Sequence, residues 1–307
     1  MIMKIIIGII LLVLFVFSCT PPHVNPLAYQ KDTHGRGKAI ILIEESFKRL
    51  FDTSIDTFEG QFPKADIQPV YMAEDEIIKS FYNDKAKTIV ISRDLNTNEI
   101  KFLKSKHVEV RSDKIAMDAI TFIVHPLNKD TLLTVQEVKD ILKGKLNNWK
   151  TSGQKINVVF DKPNSANYNY LKDVCNMDST NKQIFAVNSN EEVINYVKKN
   201  PNSLGVIGLN WISDDDDFDV QDFLKGIKVV AVAKNAKSDY FQPYAGFIYT
   251  KEYPFVRDIW MINKGRRSGL NTGFVIYMKG ETGQTIIQKA SLVPANSPVR
   301  LIQFTAN

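Results

Sequence analysis

Segments typical of strands and of helices alternate along almost the whole chain from Lys38 onward. Residues 39–43 form a short apolar run typical of a buried strand, and Phe47, Leu50 and Phe51 follow it at helical spacing. Further strands are predicted at residues 66–72, 88–91, 108–110, 115–124, 156–160, 204–209, 227–232 and 247–249. Further helices are predicted at residues 74–82, 99–104, 134–143, 165–175 and 189–199, and another begins near Glu281. This alternation predicts an α/β fold, and the length favours two lobes over one open sheet.

Two of these helices carry recognisable start signals. Thr134 and Glu137 have the spacing of a capping box, as do Ser189 and Glu192, and Gly144 stands where a C-terminal cap is expected. In α/β folds, ligands bind beyond the carboxyl ends of the strands. The loops that follow strands are therefore where we expect a binding site.

The amino terminus has the features of an export signal. Lys4 precedes an apolar run over residues 5–17, which is shorter than the roughly 18–20 residues that a membrane span needs. Residues 16–19, Val-Phe-Ser-Cys, resemble a bacterial lipobox. We therefore expect residues 1–18 to be a signal peptide, Cys19 to be lipidated and residues 19–37 to form a tether. The lipobox predicts a periplasm-facing protein that is lipid-anchored to the cell envelope membrane. The alternative is an ordinary signal peptide in which the cysteine occurs by chance.

Charge and cysteine content exclude some classes of partner and of stabilisation. The chain has a net charge of +5, and loss of Lys4 leaves 38 basic against 34 acidic residues, or +4. This charge is spread along the chain, so no nucleic-acid partner is expected. If Cys19 is acylated, Cys175 has no intrachain partner and is expected to be a buried helical thiol. Stability must then come from core burial, which a chain with 44% hydrophobic residues can provide.

The sequence contains no motif for catalysis or for metal binding. Walker, GxSxG and HExxH patterns are absent. The acidic run at residues 214–219 lacks the glycine turn and terminal glutamate of a calcium-binding EF-hand loop, so a solvated loop is favoured over a calcium site. We therefore expect a binding protein without a cofactor or a metal ion, and not an enzyme.

Six short motifs occur in an order that resembles the periplasmic phosphate-binding-protein-like family, the type II solute-binding proteins of ABC importers. They lie at residues 91–93, 115–120, 133–149, 205–208, 253–257 and 283–294, and the resemblance spans roughly residues 38–304. It implies a two-lobe type II periplasmic-binding-protein fold with an interlobe ligand cleft that closes by a hinge motion. Lobe 1 would take residues 38–120 plus 235–307, and lobe 2 residues 121–234.

Three loops that lead from a strand into a helix are the candidate binding elements. Helix N-termini offer free N–H groups and the positive end of the helix dipole, serine hydroxyls donate hydrogen bonds, and an arginine can clamp an oxyanion with two of them. The alternative for each serine is that it only caps its helix. The candidate residues in these loops are Ser46, Phe47, Ser92, Arg93, Ser165, Ala166 and Asn167.

Several residues depart from the pattern of that family. Asp161 stands where the family has an arginine, Tyr168 stands where a second arginine often follows, and acidic residues occupy 74–76 in place of small ones. Asp161 is a candidate ligand residue because a carboxylate can accept a hydrogen bond from a protonated oxyanion. The resemblance implies a monomeric protein that captures inorganic phosphate or a similar oxyanion for an ABC permease. The departures favour the alternative, a degenerate relative that acts as an envelope sensor or structural partner.

Overall fold

The structure is a computed structural model that describes residues 32–177, 181–214, 217–264 and 268–296. The predicted signal peptide, Cys19 and most of the predicted tether lie outside the described residues. Within these ranges, no helix is both long enough and apolar enough to cross a bilayer.

Most of the strands coincide with apolar runs of the sequence, but those at residues 132–134, 184–186, 256–264 and 293–294 were not predicted. The strands are β1 Arg36–Glu44, β2 Lys64–Met72, β3 Thr88–Ile91, β4 Val110–Val124, β5 Leu132–Thr134, β6 Asn157–Phe160, β7 Ile184–Ala186, β8 Ser203–Gly208, β9 Lys228–Val229, β10 Ala231–Ala233, β11 Val256–Lys264 and β12 Val293–Pro294. The runs at 108–110 and 115–124 prove to be parts of one long strand, β4.

Helices fill most of the connections between these strands. They are α1 Lys48–Gln61, α2 Glu74–Tyr82, α3 Thr97–Ser105, α4 Val135–Leu142, α5 Ala166–Cys175, α6 Asn190–Lys199, α7 Phe218–Lys225, α8 Ala245–Tyr249, α9 Leu270–Lys279 and α10 Glu281–Lys289. The capping box predicted at Thr134 and Glu137 is confirmed at the start of α4. Gly144 follows that helix with a φ of +68°, a backbone conformation that glycine adopts without steric cost.

One predicted strand is wrong. Residues 247–249 form the end of the short helix α8, in which the N–H of Ile248 donates to the carbonyl of Tyr244 at 3.0 Å. Ile248 is buried and Tyr249 is exposed, and the hydrogen bond from residue 248 to residue 244 identifies the segment as helical.

The sheet divides into two halves that share the long strand β4. Its order is β2-β1-β3-β11-β4-β8-β6-β7, and β9 and β12 also pair with β4. Residues 110–119 of β4 pair with β11, whereas residues 120–124 pair with β8. We call the half with β1, β2, β3 and β11 the first lobe and the half with β6, β7 and β8 the second lobe. The residue ranges assigned to the lobes from sequence stay a prediction.

The core is a continuous set of buried apolar side chains that crosses from one lobe to the other. Ile41 and Phe47 in the first lobe and Val158 and Val206 in the second are fully buried members of one cluster. Cys175 at the end of α5 is buried in that cluster as a free thiol, in agreement with its predicted role. The two lobes therefore share one hydrophobic core.

Candidate functional site

The loops that follow β1 in the first lobe and β6 and β8 in the second meet between the two lobes. β1 ends at Glu44 and β3 ends at Ile91, and these two strands run parallel as neighbours. In the second lobe β6 ends at Phe160 and the parallel strand β8 ends at Gly208. The carboxyl ends of parallel strands open on one edge of a sheet, and these two edges face each other across the cleft.

The loop after β1 holds a carboxyl group at the centre of the cleft. Glu44 Oε2 accepts hydrogen bonds from the backbone N–H of Ser46 at 2.9 Å and from the Ser46 hydroxyl. Glu44 Oε1 accepts from the backbone N–H of Ala166 in the second lobe at 3.3 Å. We call these three donors the cradle. All three residues have no more than marginal solvent exposure, so the carboxyl group is sealed between the lobes.

The loop after β6 is organised around a second buried carboxyl group. Asp161 accepts from the Ser165 hydroxyl at 2.6 Å, from Asn167 Nδ2 at 3.2 Å and from Asn190 Nδ2 at 3.2 Å. Ser165 also caps α5 by accepting from the N–H of Tyr168 at 3.2 Å. The side chains expected to donate to a solute therefore donate to Asp161, at the position where the related family has an arginine.

The loop after β3 is held in the same way by a third carboxyl group. The Ser92 N–H and hydroxyl donate to Glu74 at 3.1 and 2.7 Å, and Arg93 Nε donates to Glu74 at 2.9 Å. The other two Arg93 nitrogens donate to the two oxygens of Glu99 at 2.8 and 2.9 Å. The hydroxyl of each of the three serines thus donates to a carboxyl group of the protein itself.

An arginine that was not predicted as a site residue lies next to the cradle. Arg257 on β11 donates from Nε to Asp118 at 2.9 Å and from Nη2 to the Ser46 hydroxyl oxygen at 2.9 Å. Its guanidinium lies 4.8 Å from the centre of the Phe47 ring. Arg257 Nη1 is buried without a hydrogen-bond partner among the described residues. Gly208 leaves room for this side chain, since an added Cβ would stand 3.0 Å from Nη2.

Two asparagines of the second lobe, which the sequence did not indicate, donate hydrogen bonds to the loop after β1 in the first lobe. Asn190 Nδ2 donates to Glu45 at 2.7 Å, and Asn210 Nδ2 donates to the carbonyl of Ser46 at 2.6 Å. Trp211 Nε1 donates to the same carbonyl at 2.9 Å. The cleft is therefore closed by direct bonds between the lobes.

The electrostatics of the closed cleft are dominated by buried acids. Burial, with the charge of Asp161 as the next cause, raises the pKa of Glu44 to about 8 and that of Glu45 to about 7. Burial also raises the pKa of Asp161 and of Asp118, although Arg257 acts in the opposite direction on both. Glu44 is therefore mainly protonated at neutral pH, which is how its carboxyl group is accommodated beside another acid.

The predicted site residues fall into two groups. Six of them lie together around the buried acids between the lobes: Ser46, Phe47, Asp161, Ser165, Ala166 and Asn167. Ser92 and Arg93 lie on the neighbouring loop and are bound to Glu74 and Glu99. Their role in holding a solute stays a prediction. In the part of the chain that the structure describes, no group of three or more acidic, histidine or cysteine side chains is arranged to hold a metal ion.

Some of the missed residues left a signal in the sequence. Two glutamates, Glu44 and Glu45, directly follow an apolar strand, where an exposed loop would be the ordinary expectation. Arg257 ends one of the motifs on which the family resemblance rests. Asn190 left no such signal, because a polar residue at the start of a helix is common.

Comparisons with known proteins agree with this architecture. Residues 30–281 match the family model described as a PBP superfamily domain. The phosphate-binding protein PstS of Borreliella burgdorferi is 28% identical over 224 residues, which cover 69% of this chain and 74% of that protein.

Two solved structures share the fold. One is a putative phosphate ABC transporter substrate-binding protein from Clostridium perfringens with bound phosphate. The match has a TM-score of 0.71 at 20% identity and spans 84% of this chain and 100% of that one. The other is an ABC-type phosphate transport receptor from Vibrio cholerae, with a TM-score of 0.63 at 20% identity over 83% of this chain and 99% of that one. The two-lobe type II fold expected from sequence is confirmed.

Proposed function

This chain belongs to the PBP superfamily, and on that premise we propose that it is an extracytoplasmic solute-binding protein that captures phosphate or a related tetrahedral oxyanion for an ABC permease. In this proposal it is a monomer anchored by a lipid on Cys19, and it binds its solute without catalysis. The relatives named as phosphate-binding proteins and the likeness to a phosphate-bound structure support this assignment.

The observation that carries the proposal is the cradle. A backbone N–H and a hydroxyl of Ser46 in one lobe, and the N–H of Ala166 at the start of α5 in the other, converge on a single oxygen-bearing group. Convergent uncharged donors and a helix N-terminus are the means by which proteins bind small oxyanions. Arg257 adds a buried guanidinium nitrogen without a partner next to Ser46.

Isothermal titration calorimetry tests the proposal. The full-length protein, held in detergent micelles, is titrated with phosphate, sulfate and molybdate. We expect a saturable one-to-one heat with phosphate. We also expect Ser46→Ala to weaken phosphate binding roughly tenfold to hundredfold, the worth of a hydrogen bond to a charged group, while Ser105→Ala, an exposed serine, leaves it unchanged. Absence of heat and of a thermal shift with every anion would contradict the proposal.

A second candidate function is favoured by a specific observation. Ser46, Ser92 and Ser165 each donate to an internal carboxyl group, and the cleft holds more acids than bases. Under this candidate the protein binds no small anion and acts as an envelope sensor or structural partner. The same titration separates the two, because this candidate predicts no anion-dependent heat in the wild-type protein or in any cleft variant.

A further inference from the structure

We propose that Glu44 is an internal ligand of the cleft, whose carboxyl group takes the place of the solute oxyanion and must leave before a solute can bind. This inference rests on the proposed function and identifies the residue that decides whether the cradle accepts an anion. It is drawn from the contacts, burial and position of Glu44.

The contacts of Glu44 are those that an oxyanion would make. One carboxyl oxygen accepts two hydrogen bonds from Ser46 in the first lobe, and the other accepts one from Ala166 in the second. A carboxyl group is planar and carries two oxygens, so it can fill part of a site built for a tetrahedral group with four. The same donors cannot serve Glu44 and a solute at once.

Helix capping alone does not explain this side chain. Glu44 precedes a short 3-10 turn at residues 45–47 and caps it through the N–H of Ser46. A cap, however, needs only that local bond and is normally solvated. Glu44 is fully buried and also accepts from Ala166, which lies 122 positions further along the chain in the other lobe. The contact between lobes is what a bridging ligand makes.

The position of Glu44 costs free energy that the cradle must offset. Glu44 faces the carboxyl groups of Glu45 and Asp161, and Arg257 is the basic group that faces it. A buried carboxyl group is unfavourable unless its oxygens are hydrogen-bonded. The three donors of the cradle supply those bonds and offset that cost, so the carboxyl group of Glu44 can occupy the cradle without a solute.

Competition of this kind lowers the affinity for a solute by a calculable factor. If the occupied cradle is favoured over the vacant one tenfold, the apparent dissociation constant of the solute rises roughly tenfold. Removing the side chain of Glu44 therefore strengthens solute binding, whereas removing an ordinary binding residue weakens it. The direction of the effect distinguishes an internal ligand from a residue that contacts the solute favourably.

The experiment compares phosphate binding by wild type, Glu44→Ala and the exposed control Glu76→Ala, each as the full-length chain in detergent micelles. We expect Glu44→Ala to bind phosphate at least tenfold more tightly than wild type, and Glu76→Ala to match wild type.

The outcomes separate this inference from the proposed function. If wild type binds phosphate and Glu44→Ala binds it no more tightly, Glu44 is not an internal ligand and the proposed function stands. If neither protein binds any oxyanion while both give native circular dichroism spectra, the proposed function fails and this inference fails with it. Glu44→Ser, which keeps a small polar side chain, replaces the alanine variant should that variant not fold.

Discussion

Replacing Glu44 by glutamine should make the stability of the protein less sensitive to pH. In the folded protein, the pKa of Glu44 is raised from 4.5 to about 8, mainly by burial and next by the charge of Asp161, and the pKa of Glu45 is raised to about 7. From about pH 5.5 to about pH 6.5, each group largely holds a proton in the folded chain and releases it on unfolding. The free energy of unfolding therefore falls as the pH rises through this window.

The size of the effect follows from the number of protons released. Each proton lowers the free energy of unfolding by about 1.4 kcal/mol for each pH unit. Glu44 and Glu45 together give a slope of about 2.7 kcal/mol per pH unit in this window, and Glu44→Gln leaves about 1.4. Asp161 and Asp118, whose pKa values are also raised by burial, steepen the slope in both proteins.

Urea denaturation at a series of pH values measures these slopes. The unfolding of the full-length chain is followed by the fluorescence of its three tryptophans. Glu76→Gln, which changes an exposed glutamate, is the matched control and should keep the wild-type slope. Equal slopes for wild type and Glu44→Gln, or a wild-type stability that does not fall between about pH 5.5 and about pH 6.5, would refute the assignment of a buried, protonated Glu44.

Two further substitutions test the framework around the cradle. Arg257→Met leaves the buried carboxylate of Asp118 without its partner and should lower the free energy of unfolding by about 3–5 kcal/mol; a loss below about 1 kcal/mol in urea denaturation would show that the pair is not buried as described. Ser165→Ala removes the cap of α5 and should cost about 1 kcal/mol, seen as a lower midpoint in thermal denaturation, whereas an unchanged midpoint would mean that Ser165 does not cap the helix.

Much of the fold could be predicted from the sequence because local patterns determine many of its elements, but β5, β7, β11 and β12 were not predicted. Apolar runs of strand length and apolar residues at helical spacing mark β1, β3 and α1, and the capping box at Thr134 marks the start of α4. The failure at residues 247–249 has a local cause: three consecutive large apolar residues fit a strand as well as one turn of helix. Packing decided between them, and only Ile248 of the three is fully buried.

The site could be predicted only in part, because the direction of a polar side chain depends on partners far away in sequence. The sequence indicates which loops follow strands, and six of the predicted residues do lie together. It does not show that Glu44 turns inward to meet Ala166, or that Arg257 pairs with Asp118 from 139 positions away. The first contact joins the two lobes, and the second joins the neighbouring strands β11 and β4, so both depend on residues that lie far apart in sequence.

The location of a bound oxyanion tests most directly whether the solute binds in the cradle. Crystals of Glu44→Ala grown with arsenate, a tetrahedral analogue of phosphate, would give an anomalous signal at the arsenic position. We expect one strong peak between the lobes, with arsenate oxygens within hydrogen-bonding distance of the N–H groups of Ser46 and Ala166. A peak elsewhere on the protein, with none in the cleft, would contradict this prediction.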